Sequence, residues 1–93
     1  MTMTNAVVLI EADRDALSTL GGELAGIEGV AEAYSVTGEW DFVAIVRVPH
    51  HEQLADVVTG AIVVLPGVAR TQTLVAFEAY SRHDLEALFS IGG

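Results

Sequence analysis

The chain has 93 residues, enough for one domain covering 1–93 and too few for two. Its residues are 52% apolar, it has no cysteine, and its net charge of −9 comes from 13 acidic against 4 basic residues, none of them lysine. This excludes disulfides and thiolate metal sites and argues against direct nucleic-acid binding, which needs clustered Lys and Arg; with no apolar run near the roughly 20 residues of a bilayer span and no leader visible, no membrane partner and a cytoplasmic location are expected.

Residues 6–12 (AVVLIEA) are β-branched and brief, and predict a first strand. Asp13 can cap a helix whose apolar stripe is Leu17, Leu20, Leu24 and Ile27. Gly21-Gly22 falls inside it at a cost of about 1 kcal/mol each relative to Ala, and reads as close packing or a frayed turn. Gly29 ends this region, residues 30–36 form a second strand, Thr37-Gly38-Glu39 a turn, and residues 40–48 a third strand. Pro49 suits the entry to a second helix, striped by Leu54, Val57, Val58, Ala61, Ile62 and Leu65 and ended by Pro66-Gly67. Residues 68–77 are a fourth strand, and Ser81 can cap a last short helix bearing Leu85, Leu88 and Phe89.

An internal echo organises these elements. Ile27-Glu-Gly-Val-Ala31 resembles Leu65-Pro-Gly-Val-Ala69, with Gly29 and Gly67 38 positions apart, so each half is a strand–helix–strand unit closed by the same turn. Two such units side by side make a ferredoxin-like βαββαβ arrangement of the α+β class, here with a C-terminal helix. The first and third strands are apolar on both sides: Val8 and Ile10 oppose Val7 and Leu9, while Phe42, Ala44, Val46 and Val48 oppose Val43 and Ile45. A half-solvated antiparallel sheet should alternate apolar and polar residues. The chain has too few helices to cover both faces, so a homodimer packed sheet to sheet is expected.

Two stretches carry a resemblance: residues 30–48 (VAEAYSVTGEWDFVAIVRV) and 65–75 (LPGVARTQTLV). They resemble the effector domain of Lrp/AsnC regulators, with its T-G-x-x-D-type turn, a strand rich in valine and isoleucine, and a later L-P-G-V-x-x-T-x-T strand. The resemblance runs from Ala6 to about Ala79. It implies a dimeric α/β-barrel with facing antiparallel sheets, dimers joined into octamer-like rings, and a small amino acid bound between dimers without a cofactor. Full-length Lrp/AsnC regulators are further candidate partners. No helix-turn-helix precedes the first strand, so the stand-alone form of the domain, often called RAM, is implied, and DNA binding is not carried over.

The chemistry of these stretches suits such a ligand. A Gly turn exposes backbone N–H groups for a carboxylate, which Gly38 and its neighbours can supply, and Thr37 and Trp40 belong to the same expected effector site. Asp41 or Glu39 can accept from an ammonium, and Tyr34, Thr71 and Thr73 offer hydroxyls, the two threonines on one strand face. The same residues also suit an ordinary hairpin turn with Asp41 as its cap. Trp40 fits a pocket lining, an interface or a packing anchor. His50, His51 and His83 are dispersed and read as solvated surface, as do Glu23, Glu28 and Glu32. With no nucleophile–base pair, phosphate loop or metal spacing, an amino-acid sensing and oligomerisation module is expected rather than an enzyme. The alternative is a small cofactor-free, oxygenase-like enzyme of the same dimeric barrel architecture.

Overall fold

The computed structural model describes residues 3–80 and Arg82; the expected helix after Ser81, with Leu85, Leu88 and Phe89, and His83 lie outside the described residues. In chain order come β1 (Thr4–Ala12), a 3₁₀ turn (Arg14–Ala16), α1 (Leu20–Ala25), β2 (Val30–Ser35) and β3 (Phe42–Val48). They are followed by α2 (Gln53–Val57), a π-helical turn (Val58–Ile62) and β4 (Val68–Val75). The sheet order is β2-β3-β1-β4 and every neighbouring pair is antiparallel. Each helical crossover thus joins two parallel strands with one other strand between them. This is the ferredoxin-like α+β fold expected from the echo.

Register decides what each face carries. Ala6, Val8 and Ile10 of β1 stand opposite Val46, Ala44 and Phe42 of β3, so an alanine meets a valine at two of these pairs and two large side chains meet at the third. These residues are buried with Val48, Leu20 and Leu24 of α1, Leu54 and Val57 of α2, and Ile62. Both helices therefore lie on this one face, and among the described residues no polar or charged residue is buried.

The first helix is shorter than its stripe suggests. The 3₁₀ turn and α1 divide residues 14–25, Asp13 makes no side-chain cap, and Leu17 is exposed. Gly21 explains its own position. A Cβ there would meet Phe42 Cε1 at 3.1 Å, so the glycine lets α1 close down on the ring. The second helical segment follows its stripe, but widens to a π turn in which the Val63 N–H bonds the Val58 carbonyl at 2.9 Å. At the strand ends, β3 starts at Phe42 rather than Trp40, while β2 and β4 stop at Ser35 and Val75.

Among the described residues no helix lies over the other face of the sheet. Val7, Leu9, Val43 and Ile45 line its centre half-buried, with Leu74 47% and Tyr34 49% exposed beside them. Polar pairs bound it at both ends. Arg47 Nε donates to Asn5 Oδ1 at 2.9 Å at one end, and Arg70 faces Glu11 at the other.

Candidate functional site

The connection between β2 and β3 folds back on the end of β1. The Val36 N–H bonds the Asp41 carbonyl at 3.0 Å, closing the loop on itself. The Asp41 N–H then donates to the Ile10 carbonyl at 2.9 Å, and the Asp41 carboxylate accepts from the Ala12 N–H at 2.8 Å through Oδ2. One residue thereby clasps the strand end where the β1–β4 register shifts between Glu11 and Ala12. Sequence alone left Asp41 as an ammonium acceptor or a cap of its own turn; its carboxylate instead ties the turn to the Ala12 N–H of β1, with a carboxylate's further acceptor capacity intact.

Between Val36 and Asp41 the chain is at the surface. Thr37, Gly38 and Glu39 are exposed, and Gly38 has φ +111° with no heavy atom within 4 Å of where a Cβ would stand. Trp40 does not extend β3. Its ring lies under the Arg70 guanidinium, whose central carbon is 4.2 Å from the ring centroid, and Arg70 Nη2 lies 3.6 Å from Glu11 Oε2. Trp40, Asp41, Glu11 and Arg70 thus form one cluster at the end of the sheet where the turn sits. Arg70 was not foreseen as a site residue. Its cross-strand partner Glu11 is set by the β1–β4 register, which no pattern in either segment reveals.

The remaining expected residues sit apart from this cluster within one chain. Thr71 and Thr73 stand opposite Ile10 and Val8, which puts them on the helix-covered side of β4 at the sheet edge. Tyr34 stands opposite Val43 on the open face of β2, the other edge strand. Its hydroxyl donates to the Glu32 carboxylate, and this hydrogen bond, followed by the Glu32 charge, raises the phenol above its ordinary value. Tyr34 is therefore a protonated donor rather than a base.

Two open grooves, of about 420 and 440 Å³, lie at the opposite end of the sheet and share Arg47. The first is lined by Glu28, Gly29, Asp56 and Val57 among others, and none of the expected site residues touches either groove. No group of His, Asp or Glu arranged to hold a metal ion occurs among the described residues. No helix among them is long and apolar enough to cross a membrane.

Comparison with known proteins places this geometry. The Lrp/AsnC ligand binding domain family matches residues 5–85. An uncharacterised HTH-type transcriptional regulator of Pyrococcus furiosus is 36% identical over 77 residues, which make 80% of this chain and 51% of that protein. The chain spans about half the length of the curated relatives it matches. A solved protein of Thermus thermophilus superposes with a TM-score of 0.80 at 49% identity, covering 85% of this chain and 99% of that one. A feast or famine regulatory protein of M. tuberculosis, solved in complex with L-methionine, superposes with a TM-score of 0.70 at 31% identity, covering 85% of this chain and 54% of that one.

Proposed function

The chain belongs to the Lrp/AsnC ligand-binding domain family, and from that premise we propose that it is an amino-acid-sensing module that binds a small effector at the Thr37–Asp41 turn and works as a homo-oligomer. The observation that carries this reading is the clasped turn: exposed amides around Gly38 beside an acidic residue already fixed in place. A free amino acid needs donors for its carboxylate and acceptors for its ammonium, and this turn offers both within one short loop. The M. tuberculosis relative in complex with L-methionine supports an amino acid as the ligand class.

The open sheet face supports the oligomer. Val7, Leu9, Val43, Ile45 and Leu74 make a contiguous apolar centre between polar ends, the composition of a stable interface. Two chains packed through it would bury on the order of 2,000 Å² or more. Tyr34 and the Thr71–Thr73 edge, remote from each other in one chain, leave the site to be completed where a turn of one dimer meets Thr71 and Thr73 of another. The packing between sheet and helices favours binding over oxygenase-like catalysis, because the space an enclosed pocket would need is filled by apolar side chains.

A thermal-shift screen against the protein amino acids, beside a light-scattering mass, tests this reading. The expected result is a dimer or a multiple of it, stabilised by one or a few amino acids. A ligand at a hundredfold excess over Kd adds about 2.7 kcal/mol, or on the order of 10 °C in Tm for a chain of this size. A monodisperse monomer that no amino acid stabilises would overturn the proposal.

A further inference from the structure

We infer that Arg70 is the anchor for the effector's carboxylate and Glu11 its resting counter-ion, so that binding exchanges one carboxylate for another over the face of Trp40. This rests on the effector reading above and adds to it the group that recognises the acid end of the ligand.

Three observations carry it. First, the guanidinium carbon sits over the indole, 4.2 Å from the ring centroid. A stacked guanidinium keeps its edge donors available, and its planar fork matches a carboxylate in two parallel hydrogen bonds. Second, its present partner uses little of that capacity. The Arg70–Glu11 contact is a single one at 3.6 Å, beyond hydrogen-bond length, between side chains 52% and 42% exposed. Exposed pairs of this kind contribute little to stability, so Glu11 balances the charge without satisfying the donors. Third, the pair is placed by the same clasp that shapes the turn. Glu11 stands directly opposite Arg70 across β1 and β4, and the next residue, Ala12, donates its N–H to Asp41. The ligand's carboxylate would displace Glu11 and take the Arg70 fork beside the bare amides of the turn, with its ammonium toward the Asp41 carboxylate. The ligand class is then an α-amino acid with a free carboxylate, favoured over its amide.

Calorimetry on the full chain tests this with L-methionine and L-methioninamide as probes, and with the same acid–amide pair for whichever amino acid stabilises the protein most. The wild-type protein should bind the acid about ten- to hundredfold more tightly than the amide, the range for losing a charge-assisted hydrogen bond. Arg70→Gln should erase that preference. Glu11→Gln should tighten the acid about two- to fivefold by removing the competing carboxylate, a gain that a merely structural ion pair would not give. A folded Arg70→Gln protein that still prefers acid to amide overturns the inference and leaves the effector reading standing. If Arg70→Gln does not fold, Glu11→Gln decides alone, and unchanged or weaker affinity overturns the inference. A wild-type protein that binds no amino acid overturns the effector reading itself.

Discussion

Three glycines share one unusual backbone conformation, and two of them are there for a different reason from the third. Gly29, Gly67 and Gly38 have φ of +98°, +96° and +111°, a region where other residues are strained. Gly29 and Gly67 close the two halves of the echo, and each is pressed against the other half. A Cβ on Gly29 would stand 2.6 Å from Val57 Cγ2, and one on Gly67 2.4 Å from the Ala16 Cβ. Their carbonyls accept from Arg47 and Asp13 N–H groups at 2.8 and 2.7 Å, tying each turn to the end of a strand. Gly38 has the same kind of φ and nothing within 4 Å. The first two serve packing between the halves; the third keeps a turn open to solvent and leaves its amides bare. One dihedral thus marks both a folding constraint and a binding surface, and only the space around it tells them apart.

The sharpest break in this comparison is Gly67→Ala. The strained φ costs about 1–2 kcal/mol, and the overlap with Ala16 adds about 1–3 kcal/mol because a methyl on a short side chain cannot rotate away. A loss of about 3 kcal/mol is expected, or roughly 15 °C in Tm for a chain this size. Gly29→Ala should cost less, since Val57 can turn its Cγ2 aside. Thermal melts at equal protein concentration check the order, and a Gly29→Ala protein less stable than Gly67→Ala would show that rigidity of the neighbour does not set the cost.

A middle effect belongs to Asp41. Asp41→Ala leaves the half-buried Ala12 N–H without its acceptor, at a cost of about 1–2 kcal/mol. Asp41→Asn keeps a carbonyl oxygen in reach and should lose less than half of that. If Asp41→Asn is as unstable as Asp41→Ala, the clasp depends on charge rather than on an acceptor; urea melts of the two variants decide.

These contrasts also show where sequence reading stops. The strand–helix–strand echo was legible because Ile27 to Ala31 and Leu65 to Ala69 repeat a turn that needs glycine, and that repeat orders the four strands. The two apolar sides of β1 and β3 were legible from period two. Pairings across the sheet were not: Glu11 with Arg70 and Ala12 with Asp41 depend on register and on a bulge, and period two fixes a side chain's face but not its opposite number. The break before α1 was hidden for a similar reason. Leu17 keeps the helical spacing of Leu20 and Leu24, yet the chain turns there and leaves it exposed. At the candidate site, the turn and its Asp stood out by resemblance, while Arg70 lay inside a strand pattern that fits any edge strand.

Of the three glycines, Gly38 should show the smallest stability effect, and it is the one that bears most on function. Gly38→Ala adds only backbone strain, about 1–2 kcal/mol at most, because no neighbour is displaced. Gly38→Val adds a branched side chain to the same open space and should fold as well, with an unaltered oligomer mass, since the apolar sheet face lies elsewhere. Its effect on ligand binding runs the other way. A branched side chain beside the exposed amides hinders a carboxylate from reaching them and stiffens the turn, so affinity for an amino acid should fall roughly ten- to hundredfold. Folded Gly29→Ala and Gly67→Ala proteins should bind as the wild type does, because their glycines face the other half of the fold and not the turn. Calorimetry on all three, with circular dichroism as the folding control, separates a glycine kept for space from one kept for contact. Unchanged affinity in Gly38→Val would take the ligand away from the turn. The groove lined by Glu28, Arg47 and Asp56 would then be next to test, since it sets a guanidinium and two carboxylates around an opening of about 420 Å³.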